Sequence, residues 1–397
     1  MITVKEATEI VLSHSYPFQE KLVPLEAAVG NILKENLYAD QDFPPFTRVT
    51  MDGIAIKYSA FYEGQRSFPV EGVQAAGSAQ LTLNKAENCF EVMTGAILPG
   101  NTDSVIRYED VVISDGIATI QVNDIKEGQN AHDKGKDRKE GDLLIKAGTL
   151  ITPAEIGVAA TIGKTHLKVC SLPKTAVIST GDELVEVNEK PLPHQIRKSN
   201  VYTILSLLQQ HHVPAVTFHV DDDEAEIFNV LSKAFNNFDV IILSGGVSKG
   251  KFDYIPGMLE KLGVKKTFHK VKQRPGKPFW FGRNMDTTVF ALPGNPVSSF
   301  MCTCRYFLPW LRKGIGLDPL SYPHAKLASD FSFNPELTYF LQVRLNYTKD
   351  AEILAEPVEG KGSGDLANLA DADGFLELPY ERTNFSAGEI FPFIRYR

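Results

Sequence analysis

The stretch VIILSGGVSKGKFDY, residues 240–254, decides how this chain is read. Its opening run, Val240 to Leu243, is continuously apolar and has the length of a buried strand. The turn that follows carries Ser244, Gly245, Gly246, Ser248, Lys249, Lys251 and Asp253. Glycines let backbone N–H groups approach a ligand, serines donate, lysines bring positive charge, and an aspartate can hold a metal or a proton. Such a turn at a strand end is a candidate anion site. Gly245, Gly250 and Lys251 have the spacing of a P-loop, but Phe252 stands where a magnesium-holding Ser or Thr is required. Pro256 also interrupts the helix that should follow. A classical NTPase loop is therefore rejected, and a nucleotide or phosphate site of different geometry is retained.

Outward from that stretch, apolar β-type runs alternate with helical patterns between Lys174 and Lys313. Strands are expected at 176–179, 215–220, 239–243 and 288–292, and helices through Val201–Leu208, Ile227–Ala234 and Pro296–Leu311. This alternation predicts a mostly parallel sheet with helices on both faces, which binds ligands beyond the carboxyl ends of its strands. Three strands end in distinctive turns: Thr180-Gly181-Asp182-Glu183, Ser244-Gly245-Gly246 and Pro293-Gly294-Asn295-Pro296. If the strands are parallel, all three turns share one edge. Between the last two lies QRPGKP, residues 273–278, in a segment dense with Lys and Arg. It reads either as an exposed hairpin with solvated charges or, more favourably, as a phosphate contact.

The flanks are different in kind. Val4–Ser13 has helical spacing, and a second helical pattern runs from Leu25 to Leu33 after Pro24. Met51-Asp52-Gly53 reads as a tight turn before a short strand, with Asp52 as its cap on the simplest view. From Phe68 to Ala147 short β-like runs are broken by glycine, and residues 130–141 read as a solvated loop. Thr149–Gly163 returns to helix, with Pro153 at a first helical position. After Pro319 the runs are β-type again, with a glycine-rich loop at 359–365, so a small C-terminal β domain is expected. At 397 residues the chain is too long for one ordinary core. The 41 basic and 49 acidic residues give a net charge of −8, which argues against a general nucleic-acid surface. No export signal or bilayer-length apolar run is read, and Cys89, Cys170, Cys302 and Cys304 form no zinc or CxxC spacing. Buried free thiols in a reducing cytoplasm are expected. No catalytic triad order, HExxH or Rossmann fingerprint is present, and His211-His212 falls at a helix end.

Taken together, the turns resemble the MoeA family of molybdopterin molybdenumtransferases, which includes the E domain of gephyrin. The match rests on Met51-Asp52-Gly53, Met93-Thr94-Gly95, Gly135-Lys136-Asp137, Ser179 to Leu184, Ser199-Asn200, Ser244 to Asp253, Pro275 to Pro278, Pro293 to Pro296 and Gly362-Ser363-Gly364. These occur in the family's order over essentially the full length. The resemblance implies a multidomain α/β and β protein. Its parts would be a linking domain (1–41 with 142–172), an inserted β-rich domain (42–141), a central parallel α/β domain of molybdopterin-binding type (173–316) and a small β-barrel-like domain (317–397). It implies the last step of molybdenum cofactor synthesis: adenylylated molybdopterin and molybdate enter, and molybdenum cofactor and AMP leave, with Mg2+ or a similar divalent cation. It further implies a cytoplasmic homodimer whose active site takes residues from both subunits. Transient contact with the adenylyltransferase and acceptor molybdoenzymes is implied too, with no nucleic acid and no membrane.

The residues carried over as catalytic are Asp52, Thr94, Asp137, Glu183, Asp253 and Lys277. Glu183 and Asp253 are also the metal candidates. Asn200, Asp222, Ser244, Gly245, Gly246, Ser248, Arg274, Gly276, Pro293, Gly294, Asn295, Arg344 and Ser363 are carried over as substrate-binding. In physical terms, Lys277, Arg274 and a metal would neutralise molybdate and pyrophosphate, while Ser244, Gly245 and Gly246 would cradle phosphate or pterin. Two departures stand out. His132-Asp133-Lys134 precede Gly135 where the family carries an arginine, so Lys134 or Lys136 is expected to take over its contact. Arg274 stands where lysine is commoner, which keeps the charge and changes the donor geometry. The alternatives are a non-catalytic scaffold on the same fold and the related molybdopterin adenylyltransferase reaction.

Overall fold

The apolar run at Val240 becomes the centre of a six-stranded sheet in the computed structural model, which describes residues 1–247, 254–334, 336–358, 360 and 362–397. The chain divides into two units, each considered by itself. The larger comprises Met1–Leu22, Gly30–Lys34 and Lys168–Arg397; the smaller comprises Val23–Val29 and Glu35–Leu167.

In the larger unit the first helix is α1 (Val4–Ser13), closed by a Thr3–Glu6 capping box. Then follow β1 (Thr175–Thr180), α2 (Asn200–Gln210), β2 (Ala215–Val220), α3 (Glu224–Asn237), β3 (Val240–Ser244), α4 (Ile255–Lys261), β4 (Lys265–His269), β5 (Trp280–Arg283) and β6 (Thr288–Leu292). The sheet order is β2-β1-β3-β6-β5-β4. The first four strands are parallel, and β5 runs antiparallel to both of its neighbours, β6 and β4. The parallel part matches the expectation; β4 and β5 add an edge that the apolar pattern did not reveal. Alternate residues separate two cores, as a period of two requires. Val177, Val240, Ile242 and Phe290 face α2, while Ile178, Ile241, Leu243 and Val289 face α3 and α4.

The expected Pro296–Leu311 helix runs as α5 (Pro296–Cys302), a π turn over Thr303–Phe307 and α6 (Leu308–Ile315). Beyond it lie β7 (His324–Leu327), β8 (Thr338–Tyr347), β9 (Ile353–Pro357), β10 (Gly374–Leu378) and β11 (Ile390–Arg395). Neighbours in the order β8-β9-β7-β11-β10 are paired, and β10 pairs back to β8, which closes a five-stranded barrel. Its interior is filled by Leu341, Val343, Leu376 and Phe393. The QRPGKP stretch is not a free hairpin. Gln273 is fully buried, and Gln273–Arg274 pairs in parallel with Thr338–Tyr339 at the start of β8.

The smaller unit holds a six-stranded sheet in the order 104–107, 53–56, 89–92, 67–74, 117–120, 111–114. Ile54, Phe68 and Ile106 pack one face, and Ala55, Phe90 and Val105 the other. Pro153–Thr161 is helical, opened by a Thr152–Glu155 capping box. Two expectations are corrected. The helix through Leu25–Leu33 is only a 3-10 turn at Leu25–Ala27, because Gly30 at φ +82° turns the chain out of helical geometry. The polar stretch 130–141 is not all loop, since Ala131–His132 pairs with Arg48–Val49. All four cysteines are buried free thiols, as expected.

Candidate functional site

The parallel register sets the site. Ser179 of β1 lies opposite Ser244 of β3, which lies opposite Leu292 of β6. The three turns foreseen from sequence therefore stand side by side at one sheet edge. They wall a cavity of about 640 Å³, lined by Ser179 to Gly181, Glu183, Asn200, Asp222, Ser244 to Val247, Pro293 to Pro296 and Gly364.

Gly245 and Gly246 hold φ of +104° and +66°, and a Cβ on either would sit 3.0 Å from Thr180 Oγ1. Thr180 is buried and its hydroxyl meets no hydrogen-bond partner among the described residues. The result is a narrow cradle with an unspent hydroxyl at its base. One of its donors is already used: Gly245 N–H binds the Leu292 carbonyl at 3.1 Å. Asn200 ties two of the turns together, with Nδ2 donating to Ser244 Oγ at 2.8 Å and to the Gly294 carbonyl at 2.7 Å. Asn295 Nδ2 donates to Ser363 Oγ at 2.8 Å, and Val297 N–H to the Ser363 carbonyl at 3.2 Å. These bonds bring the Gly362–Gly364 loop of the barrel to the mouth of the cavity and occupy part of the α5 N-terminus.

A second cavity of about 420 Å³ adjoins the first and shares Pro278, Pro293 and Asn295 with it. Arg274, Gly276, Lys277, Tyr339, Gln342 and Ser363 are among its walls. Arg274 and Lys277 are exposed, and the Arg274 guanidinium lies 5.6 Å from the Phe333 ring centre. The first cavity has acidic side chains at its edge beside Arg197 and Lys198, and the second carries Arg274 and Lys277. Glu183 is exposed and its carboxylate folds over Gly181, 2.5 Å from where a Cβ would stand. Asp222 receives structure through its N–H, which donates to Asp182 Oδ1 at 2.8 Å.

Arg344 on β8 donates to the Asp371 carbonyl at 3.1 Å and lines neither cavity. Ser248 and Asp253 fall outside the described residues. In the smaller unit, Asp52 Oδ1 accepts from Thr94 N at 2.6 Å and from Thr94 Oγ1 at 2.7 Å. The backbone donor first, and the hydroxyl second, hold the Asp52 carboxyl below its usual range. Asp137 meets His132 at 2.9 Å. Lys134 Nζ lies 3.9 Å from Asp42.

Sequence reading placed Thr180 in a turn without giving it a role and missed Lys198; both line the first cavity. Lys198 is 8% exposed and pairs with Glu186 at 2.6 Å. Its place two residues before Asn200 was the available signal. Lys198 first, through its hydrogen bond and charge, holds the Glu186 carboxyl below its usual range. Among the described residues no three His, Cys, Asp or Glu side chains cluster as a metal cage.

A parallel α/β sheet with a glycine cradle at its carboxyl edge, joined to a cation-bearing cavity against a small barrel, places both cavities where α/β proteins of this class bind their ligands. The comparisons make this specific. Residues 2–163 match the MoeA N-terminal region (domain I and II), residues 176–313 the probable molybdopterin binding domain, and residues 324–396 the MoeA C-terminal region (domain IV). The chain is 42% identical to a molybdopterin molybdenumtransferase from Synechocystis sp., covering 99% of each. It is 30% identical to one from Haemophilus influenzae, covering 98% of this chain and 97% of that one. A molybdopterin biosynthesis MoeA protein from Pyrococcus horikoshii superposes with a TM-score of 0.85 at 29% identity, over 100% of this chain and 99% of that one. The chain belongs to the MoeA family and is a transferase of molybdenum cofactor biosynthesis.

Proposed function

We propose that the chain inserts molybdenum from molybdate into adenylylated molybdopterin and releases AMP. The observation that carries this is the pair of adjoining cavities, one a glycine cradle and the other bearing Arg274 and Lys277. Uniting a dianion with a pyrophosphate-bearing ligand requires like charges to be brought together, and cations fixed beforehand lower that cost. Gly246 and Thr180 receive the phosphate end in the cradle, and Asn200 keeps its wall rigid by fixing Ser244 against Gly294. Arg274 and Lys277 draw molybdate to the second cavity.

A divalent cation fits the donor set. Magnesium is held by one or two carboxylates with substrate phosphates and water, and Glu183 offers such an oxygen at the cradle's edge. Asp253 is the second candidate ligand. When bound, Mg2+ supplies charge neutralisation at the phosphates. The protein works in the cytoplasm as a homodimer, with Asp52, Thr94 and Asp137 contributed by the second copy. The motif pattern supports that arrangement, and mixing an Asp52→Ala with a Lys277→Ala subunit, each inactive alone, should restore part of the turnover. Transient contact with the adenylyltransferase and with acceptor enzymes completes the proposal.

The direct test is AMP release from adenylylated molybdopterin with molybdate and Mg2+. Folded protein that releases no AMP above a blank sinks the reading. Glu183→Ala and Lys277→Ala should each lower turnover; full activity in both would remove these residues from the site.

A further inference from the structure

His219 lies on β2 directly opposite Ser179 of β1 in the parallel register. Its Nδ1 is 3.0 Å from Ser179 Oγ, and its Nε2 is 3.4 Å from Asp221 Oδ1. Ser179 is 3% exposed and lines the glycine-cradle cavity. Its only other acceptor among the described residues is the Phe218 carbonyl, at 3.4 Å. The neighbouring segments bring further charges. Glu186 and Lys198 form their 2.6 Å pair close by, and His219 contributes, after Lys198, to holding the Glu186 carboxyl low. Asp182 accepts from Asp222 N–H in the adjoining turn.

The hydroxyl of Ser179 has one proton, and the state of the imidazole decides where it points. With Nε2 protonated toward Asp221 and Nδ1 bare, the ring accepts the hydroxyl proton. The hydroxyl then has only lone pairs left to offer, which repel an anion. When the ring carries both protons, Nδ1–H donates to Ser179 Oγ. The hydroxyl proton is released for another acceptor, and a positive charge stands one hydrogen bond behind the cavity wall.

We propose that His219 is a positioning residue that turns Ser179 into a donor for a phosphate-bearing ligand, making affinity for that ligand rise as the ring is protonated. This rests on the reading that the cradle takes the phosphate end of the substrate. Turning a neutral contact into a charge-assisted donor is worth about a fivefold change in affinity.

The test uses AMP as the probe and the full chain as wild type, His219→Gln and Ser179→Ala, with calorimetric affinities from about pH 5.5 to about pH 8. The ratio of wild type to His219→Gln cancels the titration of AMP itself. That ratio should be about five at the acid end and approach one at the alkaline end. Ser179→Ala should bind with the same pH dependence as His219→Gln although it keeps the ring. In turnover the effect should lie in KM and leave kcat unchanged. Nitrogen NMR of the His219 ring in the wild-type protein gives a readout free of any folding defect: AMP should raise the pH at which the ring titrates. A flat ratio, or a ring titration that AMP does not move, overturns the proposal while leaving the transferase reading intact. Absence of AMP binding at every pH, together with absence of AMP release, would overturn both.

Discussion

Asn200 offers the sharpest handle on how the cradle is held. Its Nδ2 is the shared donor for Ser244 Oγ at 2.8 Å and the Gly294 carbonyl at 2.7 Å. A hydrogen bond contributes about 0.5–1.5 kcal/mol net, and a buried group left unmatched costs about 1–3 kcal/mol. Ser244 is 3% exposed, so its hydroxyl has little access to replacement water. Asn200→Ala should therefore destabilise the larger unit by about 1–3 kcal/mol. Asn200→Asp keeps the shape and lets Ser244 donate in return, but sets a carboxylate against the Gly294 carbonyl. Its loss should be at least as large as that of alanine. Both tryptophans of the chain, Trp280 and Trp310, are buried in this unit, so urea unfolding followed by tryptophan fluorescence reports it directly. The same variants should raise KM for adenylylated molybdopterin in the AMP-release assay. An unchanged unfolding midpoint and KM in Asn200→Ala, or wild-type behaviour in Asn200→Asp, would refute the argument from a shared donor.

Three further outcomes are expected. Gly246→Ala places a Cβ 2.7 Å from Ile255 Cγ1 at a φ of +66°, so strain and overlap should together cost about 2–4 kcal/mol in the same fluorescence measurement. Because Asp52's carboxyl is held low in the folded state, its stabilising contribution is present above the unfolded-state value and lost as pH falls through the folded one. Thr94→Val keeps the backbone donor and removes the hydroxyl, so the carboxyl should titrate closer to 3.8 and the smaller unit should lose less stability on acidification than the wild type; carbon NMR of Asp52 that shows no movement would contradict this. Arg305 and Glu377 form a pair at 2.8 Å with side chains only 7% and 19% exposed. Glu377→Ala, which strands the guanidinium, should cost about 3–5 kcal/mol in urea unfolding, while the Arg305→Met, Glu377→Leu double variant should recover most of it.

Much of the fold was legible because periodicity reports burial. The continuous apolar runs at 176–179 and 240–243 could only be strands covered on both faces, and the alternation of strand and helix fixed their parallel direction. From parallel direction alone it followed that the turns at Thr180, Ser244 and Pro293 share an edge, and the register bears this out. Where the expectation failed, local pattern had been outweighed by distant contacts. Gln273 looks like part of a polar hairpin, yet it pairs with a strand that begins at Thr338. The apolar spacing from Leu25 to Leu33 looks helical, yet Leu33 bridges to Val169.

The amino-acid sequence by itself determined the class of most elements of the parallel sheet, the glycine turns and the family to which the chain belongs. All of these depend on residue type and short-range spacing. Only the tertiary structure decided which side chains meet. It paired Asp52 with Thr94, gave Asp137 to His132, left Arg344 on its own barrel and set His219 behind Ser179. Hydrogen bonds and charge pairs act over about 3–4 Å, and no spacing along a chain specifies a distance of that kind between particular side chains.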